Sequence, residues 1–197
     1  MQVQRLSQRI GLGIAAAAGW QVQIQQPPAR CVIIGAPHTS NWDLPLTLLM
    51  MLSGNLKLRW VGKDTLFREP LGWLLRALGG IPVNRRARLN FVDQMVEAFR
   101  VNESLMLAIL PEGTRRRTTH WKTGFYYIAL RAGVPIVLGF ADYRRRIVGL
   151  GPALHPTGDI EADFAAIRAF YADITGRHPE RQGAIEIRPP DATSADG

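Results

Sequence analysis

Cysteine is nearly absent: Cys31 is the only one in 197 residues, which excludes an internal disulfide framework and agrees with a reducing cytosol. No run of about 18 or more apolar residues occurs, so no membrane-spanning helix is expected. Histidine is scarce as well. Besides His38 there are His120, His155 and His178, scattered without metal-ligand spacing, so no metal is expected. There is no G-x-S-x-G elbow to supply a serine nucleophile, and Cys31 opens an apolar CVII run that reads as a buried strand rather than a reactive thiol. Acidic residues are outnumbered, 16 against 24 Lys and Arg. The resulting net charge of +8 calls for an anionic partner. Nucleic acid is not favoured, because no recognition motif or aromatic ladder interleaves with the arginines.

The chain is long enough for one domain with a core of its own and shows neither internal repeats nor low-complexity inserts. Strand-like and helix-like segments alternate. Strands are expected near Cys31 to Gly35, Leu56 to Val61, Gly80 to Val83, Leu105 to Leu110, Val134 to Ala141 and Ile147 to Leu150, with helices between them. In Asn90 to Arg100 the residues Val92, Met95, Val96 and Phe99 form one apolar stripe, and in Ile160 to Thr175 Phe164, Ile167 and Tyr171 do the same. The expected fold is a single-domain α/β sandwich with a mixed central sheet flanked by helices. Three regions follow: an amphipathic N-terminal segment (1–26), the main domain (27–188) and a disordered tail (189–197).

The chemistry concentrates in two strings. Around His38 the chain reads APHTSNWDLPL, and further on it reads ILPEGTRRR. Imidazole is the side chain best poised to accept a proton near neutral pH, and Asp43 is placed to fix its tautomer and stabilise the imidazolium. On spacing alone a His near an Asp serves equally as a loop hydrogen bond or a helix N-cap. Its position at an expected strand-to-helix junction, between Cys31–Gly35 and the apolar helix Trp42–Leu52, is where functional loops of α/β proteins sit. Such a pair, beside an Arg-rich anion pocket, suits acyl transfer from a thioester to a phosphorylated alcohol. A thiol with a pKa of about 8.5 leaves without a strong general acid, so no covalent acyl-enzyme is required.

Four blocks in order over roughly residues 36 to 140 resemble the signature blocks of the glycerolipid acyltransferases, the family that includes the lysophosphatidic acid acyltransferases. They are His38 with Asp43, Gly79-Gly80-Ile81-Pro82-Val83-Asn84-Arg85, Pro111-Glu112-Gly113-Thr114-Arg115 and Val134-Pro135-Ile136-Val137. Local departures are Pro37 where Asn is usual, Pro82 where an aromatic is usual, and Leu138 where a second Pro is common. The resemblance implies an α/β fold, His38 and Asp43 as catalytic residues, and Gly79, Arg85, Glu112, Gly113, Thr114 and Arg115 as substrate-binding residues. It implies acyl-CoA or acyl carrier protein as co-substrate, a lysolipid acceptor and no cofactor. Two alternatives stay open: an acceptor without phosphate, such as an amino-acid lysolipid, and a non-catalytic module that binds anionic lipid.

Smaller features divide between function and scaffold. Glu112 is expected to pair with an arginine or to orient the acceptor. Arg144-Arg145-Arg146 reads as a solvated hairpin turn, and Gly62-Lys63-Asp64-Thr65 as a turn rather than a P-loop. Trp73, Leu74, Leu75 and Leu78, within Pro70 to Leu78, line an acyl-chain groove or fill the core. At the N-terminus Val3, Leu6, Ile10, Ile14 and Ala17 fall on one helical face that ends at Trp20. That face lies in an anionic membrane interface or packs on the domain, and QVQIQQPP after it reads as a linker. In the first case the protein is peripheral on the cytoplasmic face of the membrane, and deleting residues 1 to 20 should weaken liposome binding while sparing activity on a water-soluble acceptor.

Overall fold

Strand β2 (Arg30–Gly35) fixes the architecture. Val32 and Ile34 point to one side of it and Cys31 and Ile33 to the other, and all four are buried, as a run without polar alternation requires of a strand covered on both faces. The computed structural model describes residues 2–83 and 91–187. Arg85 and the tail from residue 189 therefore lie outside the described residues.

Around β2 the chain forms α1 (Gln2–Ala17), β1 (Gln21–Ile24), α2 (Asp43–Gly54), β3 (Leu58–Lys63), α3 (Leu71–Ala77), β4 (Gly80–Val83), α4 (Phe91–Val101), β5 (Leu105–Ile109), α5 (Gly124–Ala132), β6 (Ile136–Asp142), β7 (Ile147–Leu154) and α6 (Ile160–Tyr171). The strands make one mixed sheet in the order β1-β7-β6-β2-β5-β3-β4, parallel except for the antiparallel β6–β7 hairpin. This is the expected α/β class.

Helices α4, α5 and α6 cover one face, where Phe99, Phe125, Ile128, Phe164 and Ile167 surround Trp121. Trp121 is 2% exposed and meets Phe125, Phe164 and Tyr171 edge-on, contacts of about 0.5–1.5 kcal/mol each beyond area burial. Leu46 and Met50 of α2 cover the opposite face above Cys31, Ile33, Val137 and Leu150.

Two expectations need correction. QVQIQQPP is not a linker at its start: Gln21–Ile24 pair in parallel with Ile147–Leu150, and the half-buried Val22 and Ile24 alternate with exposed glutamines as an edge strand requires. Strand β7 runs past Leu150 to Leu154. Pro152 is tolerated there because β1 ends at Ile24, opposite Leu150, so no β1 residue pairs with position 152. Helix α1, for which packing and an outward face were both open, contacts the domain through small residues. Gly11 and Ala15 are buried, and a Cβ on Gly11 would fall 2.7 Å from Ser53 Oγ of α2. Leu6, Ile10, Leu12 and Ile14 stay exposed, Ile14 by 51%. Packing and an outward apolar surface thus coexist on one helix.

Candidate functional site

The chain leaving β2 turns to α2 on one face of the sheet, while the chain leaving the adjacent β5 continues to α5 on the other. Connections that diverge in this way open a crevice beyond the carboxyl ends of the two strands, where α/β proteins place their ligands. The residues of both sequence strings stand on its rims.

His38 follows β2 and Asp43 is the first residue of α2. His38 Nδ1 lies 3.0 Å from Asp43 Oδ2, with both side chains largely buried. The same Oδ2 accepts the backbone N–H groups of Thr39 and Ser40, each at 3.1 Å, so one carboxylate oxygen gathers the loop around the ring. Oδ1 accepts the Tyr143 hydroxyl at 2.8 Å. Burial pushes the Asp43 pKa upward, but the hydrogen bonds from His38, Tyr143 and Ser40 outweigh it and hold the carboxyl below its ordinary range. An ionised Asp43 accepts from Nδ1–H, which leaves Nε2 as the basic nitrogen. Such a pair can take a proton from a hydroxyl and stabilise the cation that results.

Glu112 sits in the turn after β5 and is 5% exposed. Among the described residues no arginine pairs with it, so of the two expected roles the ion pair is not formed. Its Oε1 instead accepts the backbone N–H of His38 at 2.8 Å, across 74 positions of sequence. The reason is its depth: the turn buries the carboxylate against the β2 loop while the neighbouring arginines are exposed. Its Oε2 is buried without a hydrogen-bond partner, beside a small cavity lined by Pro37, Trp121, Tyr171 and Gln182. Burial raises the Glu112 pKa, an effect the His38 hydrogen bond only partly offsets. Glu112 thereby joins the β5 turn to the backbone that carries the imidazole.

The other residues of the string are more open. Gly113 takes φ 66° and Arg116 N–H donates to Thr114 Oγ1 at 3.2 Å, a tight turn that leaves Thr114 and Arg115 exposed at the same end of the sheet as His38. Gly79 is not brought into this group. It stands at the entry of edge strand β4, with β5 and β3 between it and β2, roughly 14 Å across the sheet at ordinary strand spacing. A Cβ there would come 2.4 Å from Leu58 O at φ 85°, so its glycine is explained by close backbone approach.

Two further elements lie around the site. The arginine run forms the expected exposed turn between β6 and β7, and Asp142 braces it: Arg145 Nη1 pairs with Asp142 Oδ2 at 3.0 Å, and Arg144 and Arg145 donate their backbone N–H groups to Asp142 Oδ1. Residues Leu71, Trp73, Leu74 and Leu78 are exposed, Trp73 by 63%, so α3 presents an apolar surface rather than core. Tyr143 was not marked by the sequence. It lies 100 positions from Asp43, and no local spacing connects them.

Comparison with known proteins adds three findings. Residues 21–137 match the family model described as Acyltransferase. A 1-acyl-sn-glycerol-3-phosphate acyltransferase of Haemophilus influenzae is 34% identical over 121 residues, which are 58% of this chain and 49% of that relative. The alignment thus spans about half the relative's length. The crystal structure of the 1-acyl-sn-glycerophosphate acyltransferase PlsC from Thermotoga maritima superposes with a TM-score of 0.59 at 18% identity, over 87% of this chain and 78% of the other, a likeness of fold.

Proposed function

The chain belongs to the acyltransferase family, and from that premise we propose that it moves a fatty acyl group from a thioester, acyl-CoA or acyl carrier protein, to the hydroxyl of a lysophosphatidic acid-like lysophospholipid. The observation that carries the reading is the 3.0 Å contact of His38 Nδ1 with an Asp43 carboxylate that three further donors hold in place. His38 Nε2 takes the acceptor's hydroxyl proton as its oxygen attacks the thioester carbonyl, Asp43 stabilises the imidazolium, and collapse of the tetrahedral adduct expels the thiolate. Glu112 holds the loop backbone, and Arg115 receives the acceptor's phosphate.

The test is purified protein incubated with acyl-CoA and a panel of phosphorylated and unphosphorylated lysolipids, with thiol release and products followed together. Turnover of lysophosphatidic acid supports the proposal. Preference for an unphosphorylated lysolipid favours the second acceptor class, and binding without turnover a non-catalytic module.

Arg115 is exposed and makes no ion pair among the described residues, so its guanidinium is available to a phosphate. Arg115→Ala is expected to weaken use of a phosphorylated acceptor by about 1.5–3 kcal/mol, a ten- to hundredfold rise in KM, with poor rescue by lysine, which lacks the fork. The resemblance assigns the same role to Arg85. Unchanged kinetics with lysophosphatidic acid would remove Arg115 from the site.

We also place the protein peripherally on the cytoplasmic face of a membrane. No helix among the described residues is long and apolar enough to cross one, whereas α1 turns Leu6, Ile10 and Ile14 outward, and Trp42, just before α2, and Leu44 within it are exposed. Replacing Leu6, Ile10 and Ile14 together by glutamine should lower co-sedimentation with anionic liposomes and leave melting temperature nearly unchanged, because none of the three is buried. Binding should also weaken with salt, as attraction is screened over about 10 Å at 0.1 M. Equal sedimentation of variant and parent would exclude this face as the contact.

A further inference from the structure

We infer that Tyr143 is a positioning residue for this reaction, holding Asp43 through its hydroxyl, and that Trp20 in turn holds Tyr143, so that the chain leaving α1 helps to set the His38–Asp43 pair. The inference rests on His38 being the base. Three observations place Tyr143 there. Its hydroxyl donates to Asp43 Oδ1 at 2.8 Å, the oxygen that His38 does not use. Its backbone N–H donates to Thr175 O at 2.8 Å, which anchors the residue where β6 ends. Its ring meets Trp20 edge-on, with centroids 5.0 Å apart and planes at 88°.

The carboxylate has two rotational degrees of freedom that matter to His38, and the loop donors constrain only one end of it. Thr39 N–H and Ser40 N–H both bind Oδ2, so a rotation about the axis through Oδ2 would leave them nearly satisfied while swinging the plane away from the imidazole. The hydroxyl on Oδ1 blocks that rotation. It also draws charge from the carboxylate, so its removal leaves Asp43 more basic toward the imidazolium of the free protein, while the freed rotation misaligns the ring with the acceptor hydroxyl and it is this misalignment that lowers kcat. The charged and titratable groups facing Asp43 are His38 from its own loop, Tyr143 from the β6–β7 turn and Glu112 from the β5 turn, with Arg177 acting on Tyr143 from the segment after α6. Burial and the Asp43 contact both push the Tyr143 pKa well up, which keeps its hydroxyl a donor over any working pH.

Trp20 extends the chain of contacts. It lies three residues beyond the end of α1, its backbone N–H closes on Ala15 O at 2.8 Å, and the next residue opens β1. Deleting residues 1 to 20 therefore removes a support of the dyad together with the exposed stripe. The truncation is not the clean membrane test that the sequence alone suggests, and glutamine substitutions within α1 are preferable.

The experiment uses the full chain with acyl-CoA and lysophosphatidic acid. Tyr143→Phe keeps the ring and its Trp20 contact and loses only the hydroxyl. The expected result is about a tenfold fall in kcat with KM little changed, and an acid limb of the pH profile of kcat/KM displaced to higher pH. In an Asp43→Ala background the same substitution should do nothing further, since it acts through Asp43. Replacing Tyr143 by 3-fluorotyrosine, a stronger donor that keeps the fold, should displace the acid limb to lower pH. Trp20→Ala should show the Phe variant's signature in weaker form. An acid limb that stays in place in both Tyr143 variants, or a Tyr143→Phe effect of full size on top of Asp43→Ala, would overturn the inference. A fully active His38→Ala would instead overturn the base assignment.

Discussion

His38→Ala is expected to lower kcat by about a thousandfold or more while leaving the melting temperature within a few degrees and acyl-CoA binding largely intact. The size follows from what is removed. General base catalysis by a positioned imidazole contributes about 10²–10⁴, and here no second group stands ready to replace it. Asp43 stays committed to the loop N–H groups and to the Tyr143 hydroxyl, and the other nearby carboxylate, Glu112, is buried with its Oε1 on the backbone N–H of residue 38. The backbone contacts of the loop survive the substitution, because Thr39, Ser40 and Asp43 hold one another without the imidazole. Stopped turnover with intact donor binding is the signature to look for. Wild-type kcat in this variant would eliminate the mechanism.

Asp43→Asn should cost nearly as much, about 10²–10³ in kcat, by a different route. An amide is nearly the same shape, and its oxygen can occupy the position of Oδ2 and keep the donors of Thr39 and Ser40. Its NH₂ would then meet the Tyr143 hydroxyl, which can rotate to accept. The fold should therefore persist. What disappears is the negative charge that stabilises the imidazolium, so the loss falls on kcat more than on KM. A stability measurement adds an independent check. The folded-state pKa of Asp43 is depressed, so its contribution to stability is present above the unfolded carboxyl pKa and lost as pH falls through the folded one. The introduced amide does not titrate, so the variant should lack that portion of the acid destabilisation. Identical acid unfolding curves, together with an unimpaired kcat, would show that the charge has no role.

How much of this was legible in the sequence depended on the range of the interaction involved. The stripe of Val92, Met95 and Phe99 and the run CVII define α4 and β2 because helix and strand periods are local properties. The arginine turn between β6 and β7 was likewise local. Strand β1 was not legible, since four residues with two glutamines mark an edge strand only when β7 is known to lie alongside. Helix α5 carries Phe125, Tyr126, Ile128 and Ala129 all buried, nearly apolar all round, so no single stripe announces it. At the site His38 and Asp43, five positions apart, could be paired on sight. The roles of Glu112 and Tyr143 depend on partners 74 and 100 positions away, which only the fold brings near. The glycine and alanine of α1 look like mere dilution of an amphipathic pattern, yet they are the residues that dock the helix.

Cys31 gives the protein a built-in clock. It lies at 0% exposure on the central strand, and burial pushes its thiol pKa up to about 12. A disulfide reagent used to detect thiol released from the donor should therefore meet no competing signal from the folded enzyme, even at enzyme concentrations high enough to follow a single turnover. The same thiol reacts once β2 separates from β5 and β6, its neighbours on either side. The rate at which reagent labels this one sulfur would then measure how often the middle of the sheet opens, without any introduced probe, and would compare the variants above on a common scale.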